Sequence, residues 1–336
     1  MSSERLVGDV GGTNARFALL DDNNLPQQSR TLRTDDFPSL SAAIGTYLAE
    51  HEIEDVASAA IAVATPVVGD QVKLTNNHWS FSIDKTRQQL GIDRLHVVND
   101  FTALALSVPH LPESELIKVG GGVAVPNHAK AIIGPGTGLG VSGLVPCGSH
   151  WTALQGEGGH VSLGVRTARE FAVYERLTQK FRHVSAERFL SGPGLVNIVT
   201  VLRELDGLPM REFSPADVTS KGMDAYLSRH NQTSSLPATT SDENDKSDDA
   251  GCEEALQIFC QLLGSCAGNL VLTLGAEGGV YIGGGIVPRL GEFFIESEFR
   301  QEFEAKGRMQ GYLEKVPSYV IQSPYPALIG AAQLLS

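Results

Sequence analysis

Five side chains able to move protons or grip hydroxyls stand beside glycine-rich turns or at the starts of helical patterns in this sequence: Asp9, Asp100, Glu157, His160 and Glu187. Asn99-Asp100-Phe101-Thr102 falls where the apolar run 95–98 gives way to a helical pattern over 101–107. The carboxyl end of a strand is where ligands collect in an open α/β sheet. A carboxylate placed there can take a proton from a hydroxyl, and the next helix N-terminus steadies its charge. The plainer alternative is that Asn99 or Asp100 caps that helix. Gly156-Glu157-Gly158-Gly159-His160 and Ser185-Ala186-Glu187-Arg188 add two acids and an imidazole. Such groups accept from and donate to the hydroxyls of a polyol. Their plainer alternatives are a structural histidine and an acid in the first turn of a helix.

Three glycine runs suggest what else is bound. In Gly8-Asp9-Val10-Gly11-Gly12-Thr13-Asn14, backbone N–H groups at a Gly-Gly turn can form a nest for phosphate oxygens. The nearby Asp9 can hold the metal that bridges them. No lysine follows and no helix opens there, so neither a P-loop nor a dinucleotide fingerprint is satisfied. Gly134-Pro135-Gly136-Thr137-Gly138-Leu139-Gly140 offers a second nest between apolar runs. Gly283, Gly284 and Gly285 follow the run 280–282 and precede a helix with Pro288 near its first turn, so a flat ring can approach the backbone. Each run alone also reads as an ordinary tight turn. Two phosphate-cradling hairpins in one chain imply two related halves gripping a nucleotide.

The elements that must position these groups follow from periodicity. Residues 5–9 and 15–20 read as strands of a hairpin, with further strands at 57–64, 95–98, 129–133 and 141–145. Helical patterns cover 39–50, 101–107, 167–180, 253–275 and 289–306, and a final strand and helix cover 318–322 and 326–335. The polar, acidic stretch 231–249 reads as a disordered surface loop. With 336 residues and 42% hydrophobic content, the chain can bury two cores, expected as 1–111 with 318–336 and as 112–317. A net charge of −13 repels polyphosphate and anionic membrane surfaces, which sets nucleic acid and membranes aside as partners. The segment before residue 8 carries no leader pattern, and no run approaches the ~18 apolar residues of a membrane span, so a cytoplasmic protein is expected. Cys147, Cys252, Cys260 and Cys266 have no metal or redox spacing and are expected as buried, reduced side chains.

In this order, VGDVGGTNAR, VVNDFTALALS, IIGPGTGLGVS, LQGEGGH, HVSAERFLSGPGL and YIGGGIVPR resemble the bacterial glucokinase family of the hexokinase, actin and Hsp70 superfamily. The resemblance implies an α/β actin-like ATPase (ribonuclease H-like) fold, two α/β lobes around a nucleotide and sugar cleft. It implies that Gly8, Asp9, Val10, Gly11, Gly12 and Thr13 form one ATP phosphate loop, with Asp9 orienting Mg2+ through water. Gly134, Gly136, Thr137 and Gly138 would belong to the second loop, and Gly283, Gly284 and Gly285 would border adenosine. Asp100 would be the catalytic base, and Asn99, Asp100, Glu157, His160 and Glu187 would bind D-glucose. The implied reaction is phosphoryl transfer from ATP to the sugar 6-hydroxyl in a homodimer. The C-x-C-G-x-x-G-C zinc motif of a related repressor and kinase group is lacking, so His160 is expected to face sugar, not zinc. A sugar-responsive transcription regulator is the rival; with the first loop at residue 8, no DNA-reading helix-turn-helix is expected ahead of it.

Overall fold

A computed structural model of the chain describes residues 4–231 and 243–336. In chain order the elements begin β1 (Glu4–Val10), β2 (Asn14–Leu20), β3 (Pro26–Arg33), α1 (Leu40–Glu50), β4 (Val56–Val63), β5 (Gln71–Lys73) and β6 (Ser80–Ser82). They continue α2 (Ile83–Leu90), β7 (Arg94–Asn99), α3 (Asp100–Ser107), β8 (Leu116–Val119), β9 (Lys130–Pro135), β10 (Leu139–Cys147) and β11 (His150–Gln155). After these come α4 (Ala168–Lys180), α5 (Gly192–Leu205), α6 (Pro215–Asn231), α7 (Glu243–Leu274) and β12 (Val280–Ile282). The chain ends with α8 (Val287–Leu290), α9 (Glu292–Glu296), α10 (Phe299–Glu304), α11 (Gln310–Leu313), β13 (Ser318–Ile321) and α12 (Pro326–Ala332).

Two compact units result, Met1–Leu116 with Ser142–Gln155 and Ser323–Ser336, and Ile117–Val141 with Gly156–Gln322. The first is built on a sheet of order β3-β2-β1-β4-β7, in which β1–β2 is the antiparallel hairpin and β1, β4 and β7 run parallel. One face of that sheet packs Phe17, Tyr47, Ile61 and Trp79 beneath α1 and α2. The other packs Val7, Ala18 and Ala60 against Leu328, Ala331 and Ala332 of α12. Gly330 lets α12 close on α3, since a side-chain carbon there would collide with the Ala103 carbonyl. The C-terminal helix therefore returns to the N-terminal sheet. That return starts at Ser323 and not at Ser318, because β13 pairs with β12 in the second unit.

In the second unit β9, β12 and β13 are parallel neighbours, and α7 runs through the core against α5, α6 and α10. Residues Ala250–Leu274 are long and apolar enough by composition to cross a membrane, yet 67% of the most apolar window is buried inside this unit. Leu256, Phe259, Leu263 and Val271 are among its core side chains. Three expectations are corrected here. Helix α7 starts at Glu243, so residues 243–249 of the stretch read as a loop form its first turns. Asn231 ends α6, and residues 232–242 lie outside the described part. The single helix expected over 289–306 is three, because Gly291 turns at φ +50° and Ser297 is extended. Of the four cysteines expected to be buried, Cys252 and Cys260 are, Cys266 is half-buried and Cys147 is exposed.

Candidate active site

In the first unit the shared sheet register brings the acids to one edge. Asp9 pairs with Ala62, Ala62 with Val98, and Val63 with Asn99, so β1, β4 and β7 end together. Past these ends the chain must turn, and Gly11 and Gly12 supply the turn after β1. The Gly11 N–H donates to the Asn14 carbonyl at 2.9 Å, closing the hairpin. Thr34, fully buried, donates from Oγ1 to the Gly12 carbonyl at 2.9 Å and from its N–H to the Thr13 carbonyl at 3.0 Å. A side-chain carbon on Gly12 would stand 2.9 Å from the Asn76 carbonyl, so the turn and that segment are in backbone contact. Gly8 is a packing residue inside β1, where an added carbon would stand 2.7 Å from Ile61 Cδ1.

Asn99 caps α3: its Oδ1 accepts the Phe101 N–H at 2.9 Å, and its Nδ2 donates to the Thr65 carbonyl at 3.3 Å. The plainer alternative thus holds for Asn99, whose amide retains one N–H and one lone pair for a ligand. Asp100, the first residue of α3, accepts the same Phe101 N–H at 2.9 Å. Burial pushes its carboxyl up to about 6, the nearby charge of Asp9 adds to the rise, and the Phe101 hydrogen bond opposes it. Asp9 is also raised by burial, and the Arg16 guanidinium 3.8 Å away opposes that rise. Arg16 is itself held by Thr31 Oγ1 at 3.0 Å and lies 4.3 Å from the centre of the Tyr325 ring. Two carboxylates with one guanidinium beside Asp9 leave excess negative charge, which fits a bound dication. Among the described residues no three acid, His or Cys side chains gather as a cage. Such a site suits Mg2+, which keeps waters and shares itself between one or two carboxylates and phosphates.

The second unit gathers its own motifs around the start of β10. Gly136 N–H donates to the Gly138 carbonyl at 2.8 Å, tightening the turn that joins β9 to β10. Gly192 N–H, at the start of α5, donates to the Gly136 carbonyl at 2.8 Å. Ser191 caps α5 through its Oγ, which accepts the Gly194 N–H at 3.0 Å. Gly284, at φ +77°, lies so close to Pro135 that any side chain would meet its carbonyl, and the Gly283 N–H donates to the Ile133 carbonyl at 2.9 Å. The 283–285 turn and the 134–140 turn therefore sit on each other.

Glu157 and His160 flank a 3-10 turn, with His160 Nε2 3.9 Å from Glu157 Oε2 and both side chains more than half exposed. Gly158 and Gly159 seat that turn on Val141 and Leu139. The Ala186 N–H donates to the Val161 carbonyl at 2.9 Å, stitching the turn to the one that carries Glu187. Glu187 itself is half-buried, and its Oε2 accepts the Leu139 N–H at 2.9 Å. The structure thus brings together Glu157, His160, Glu187, Gly134, Gly136, Thr137, Gly138 and Gly283 to Gly285 within one unit. Within the other it brings together Asp9, Gly11, Gly12, Asn99 and Asp100. Sequence reasoning missed Arg16, Thr34, Asn76 and the Ser191-Gly192 start of α5. Of these, Arg16 was within reach, since a hairpin turning at Gly11-Gly12 pairs residue 9 with residue 16.

A family model described as Glucokinase matches residues 6–336. A glucokinase of Chromobacterium violaceum is 50% identical over 99% of this chain and 89% of its own length. One of Aromatoleum aromaticum is 49% identical over 98% of this chain and 94% of its own length. The crystal structure of a glucokinase from an Antarctic psychrotroph superposes with a TM-score of 0.83 at 34% identity, covering 100% of this chain and 99% of that one. The fold is accordingly the α/β actin-like ATPase fold that the sequence implied. On the family match and on identity at half the positions, the chain belongs to the glucokinase family.

Proposed function

We propose that the chain is an ATP-dependent glucokinase, moving the γ-phosphoryl group of ATP to the 6-hydroxyl of D-glucose to give glucose 6-phosphate and ADP, the first step of glycolysis. The observation that carries the mechanism is Asp100, a half-buried carboxylate at the carboxyl end of β7 whose affinity for a proton is raised to about 6. A base in that range is ionised at neutral pH and still basic enough to accept the hydroxyl proton. As the sugar oxygen bonds to the γ-phosphorus, the bond to the bridging oxygen of ADP breaks and the proton passes to Asp100. Because the transition state of such transfers is loose, positioning and electrostatics supply most of the rate. Asn99, Glu157, His160 and Glu187 hold the sugar hydroxyls so that only the 6-hydroxyl meets the base. Backbone N–H groups in the turn that follows β1 at Gly11 to Thr13, and in the Gly134 to Gly138 turn, receive the phosphates, Gly8 serving as a packing residue beneath the first turn, and Gly283, Gly284 and Gly285 border adenosine.

Magnesium, when bound, supplies positive charge to the β- and γ-phosphate oxygens, and Asp9 would hold it through water. The charge of −13 supports a protein working on a small neutral sugar, without nucleic acid or membrane partners, in the cytoplasm. A homodimer belongs to the same reading, and size-exclusion chromatography with light scattering checks it. The functional test is ADP release with Mg2+ and ATP across glucose, mannose, fructose, galactose and N-acetylglucosamine. Glucose is expected to give the highest kcat/KM; no ADP release with any hexose overturns the reading.

A further inference from the structure

Building on the reading of Glu187 as a sugar ligand and of 134–140 as a nucleotide loop, we propose that Glu187 is also the positioning residue of that loop, coupling sugar and nucleotide affinity through one carboxylate. Its Oε2 accepts the Leu139 N–H at 2.9 Å, and a side-chain carbon on Gly138 would stand 2.5 Å from that same oxygen. A nucleotide-loop backbone and a sugar-binding carboxylate are therefore in van der Waals contact. With two oxygens and several lone pairs, the carboxylate can hold the loop through Oε2 and a sugar hydroxyl through Oε1.

Both sides of this link are anchored. Ser191 Oγ donates to the Glu187 carbonyl at 2.8 Å, which fixes the backbone that carries the acid. On the loop side, the Gly192 N–H holds the Gly136 carbonyl at 2.8 Å. Between these anchors lie the Glu187 side chain and the peptides from Thr137 to Leu139. A sugar hydroxyl on Oε1 fixes the carboxylate in the orientation that receives the Leu139 N–H, so the loop loses less freedom when nucleotide arrives. Linkage then requires nucleotide to raise sugar affinity by the same factor.

The test is calorimetry on the intact chain with glucose and with a magnesium-bound, non-hydrolysable ATP analogue, each alone and in the presence of the other. Glu187→Gln replaces a charge-assisted bond to Leu139 with a neutral one. It is expected to weaken glucose binding, to weaken sugar-free nucleotide binding about three- to tenfold, and to bring the coupling factor toward one. Gly138→Ala is expected to weaken glucose binding measured without nucleotide. Gly311→Ala in α11, outside the site, is the comparison: its added carbon meets nothing within 4 Å, so nucleotide-free glucose affinity should stay within about twofold of wild type. If Glu187→Gln loses glucose affinity but keeps sugar-free nucleotide affinity, the coupling is overturned while the sugar-ligand reading stands. Wild-type glucose affinity in Glu187→Gln overturns both. Should Gly138→Ala bind glucose like wild type without nucleotide, the contact has no consequence and the proposal is wrong.

Discussion

At Asp100 chemistry and stability pull in opposite directions. Its proton affinity in the folded chain, raised to about 6 from 3.8, means that folding favours the protonated form. The stabilising contribution of that form is complete below about pH 3.8 and is lost as pH rises through about 6. At pH 7.5 the ionised carboxylate is therefore a cost that catalysis imposes on the fold. Asp100→Asn keeps the shape and an acceptor for the Phe101 N–H while staying neutral. It should lower kcat by about 10² to 10⁴ yet raise unfolding free energy at pH 7.5 by about 1–3 kcal/mol, a gain that fades below pH 4. Denaturant melts at the two pH values, beside a coupled assay, check both; a variant with more than about a tenth of wild-type kcat moves the base elsewhere. In wild type, kcat/KM should fall below about pH 6 as the base is protonated. Glu157→Gln should raise the glucose KM more than the ATP KM, since one charge-assisted hydrogen bond becomes neutral. Asp100 was legible because it stands where an apolar strand gives way to a helix, and Glu157 because glycines flank it on both sides. Thr34 and Asn76 carry no such signal: they act through backbone contacts made far along the chain.

The first residues of β10 hold more of the candidate site than any other element. Leu139 gives its N–H to Glu187 and its carbonyl backs onto Gly159, while Val141 backs onto Gly158. The strand–turn–strand repeat at 5–20 and 129–145 was readable from alternation and glycine punctuation, but this role for β10 was not, since it depends on which later turns fold back onto it. The same limit explains the 289–306 stretch, whose apolar spacing is helical although Gly291 and Ser297 break it into α8, α9 and α10. It also explains α7, where local polarity at 243–249 suggested a loop and the helix extends through it. Gly284 offers a test of element-level fit. At φ +77° and against the Pro135 carbonyl, Gly284→Ala meets both a left-handed backbone and a collision. It should cost about 2 kcal/mol or more in stability and raise the ATP KM, and thermal melts with steady-state kinetics would show both. An alanine variant with wild-type melting and nucleotide affinity would mean that the two turns are not locked together.

For the whole molecule, the proposed base belongs to the first compact unit and Glu157, His160 and Glu187 to the second. Composition and motif order made the family legible, whereas the grouping of 142–155 with the first unit was not. Water is small enough to reach any site a sugar hydroxyl reaches, and Asp100 would serve it equally well as a base. Discrimination must then come from the sugar's ring hydroxyls, whose binding energy assembles the reactive arrangement and leaves it unassembled when only water is present. Without sugar, ATP hydrolysis should be slower than glucose phosphorylation by about 10⁴ or more, the range that such substrate-driven assembly supplies. A sugar with the same ring hydroxyls but no hydroxymethyl group, xylose, separates the two contributions. It should bind and speed ATP hydrolysis by water, since it supplies the assembly energy and leaves the place of the 6-hydroxyl open. Phosphate release with and without xylose measures this directly. If xylose binds and hydrolysis does not rise, sugar binding selects the nucleophile by occupying the site alone, and the assembly argument fails.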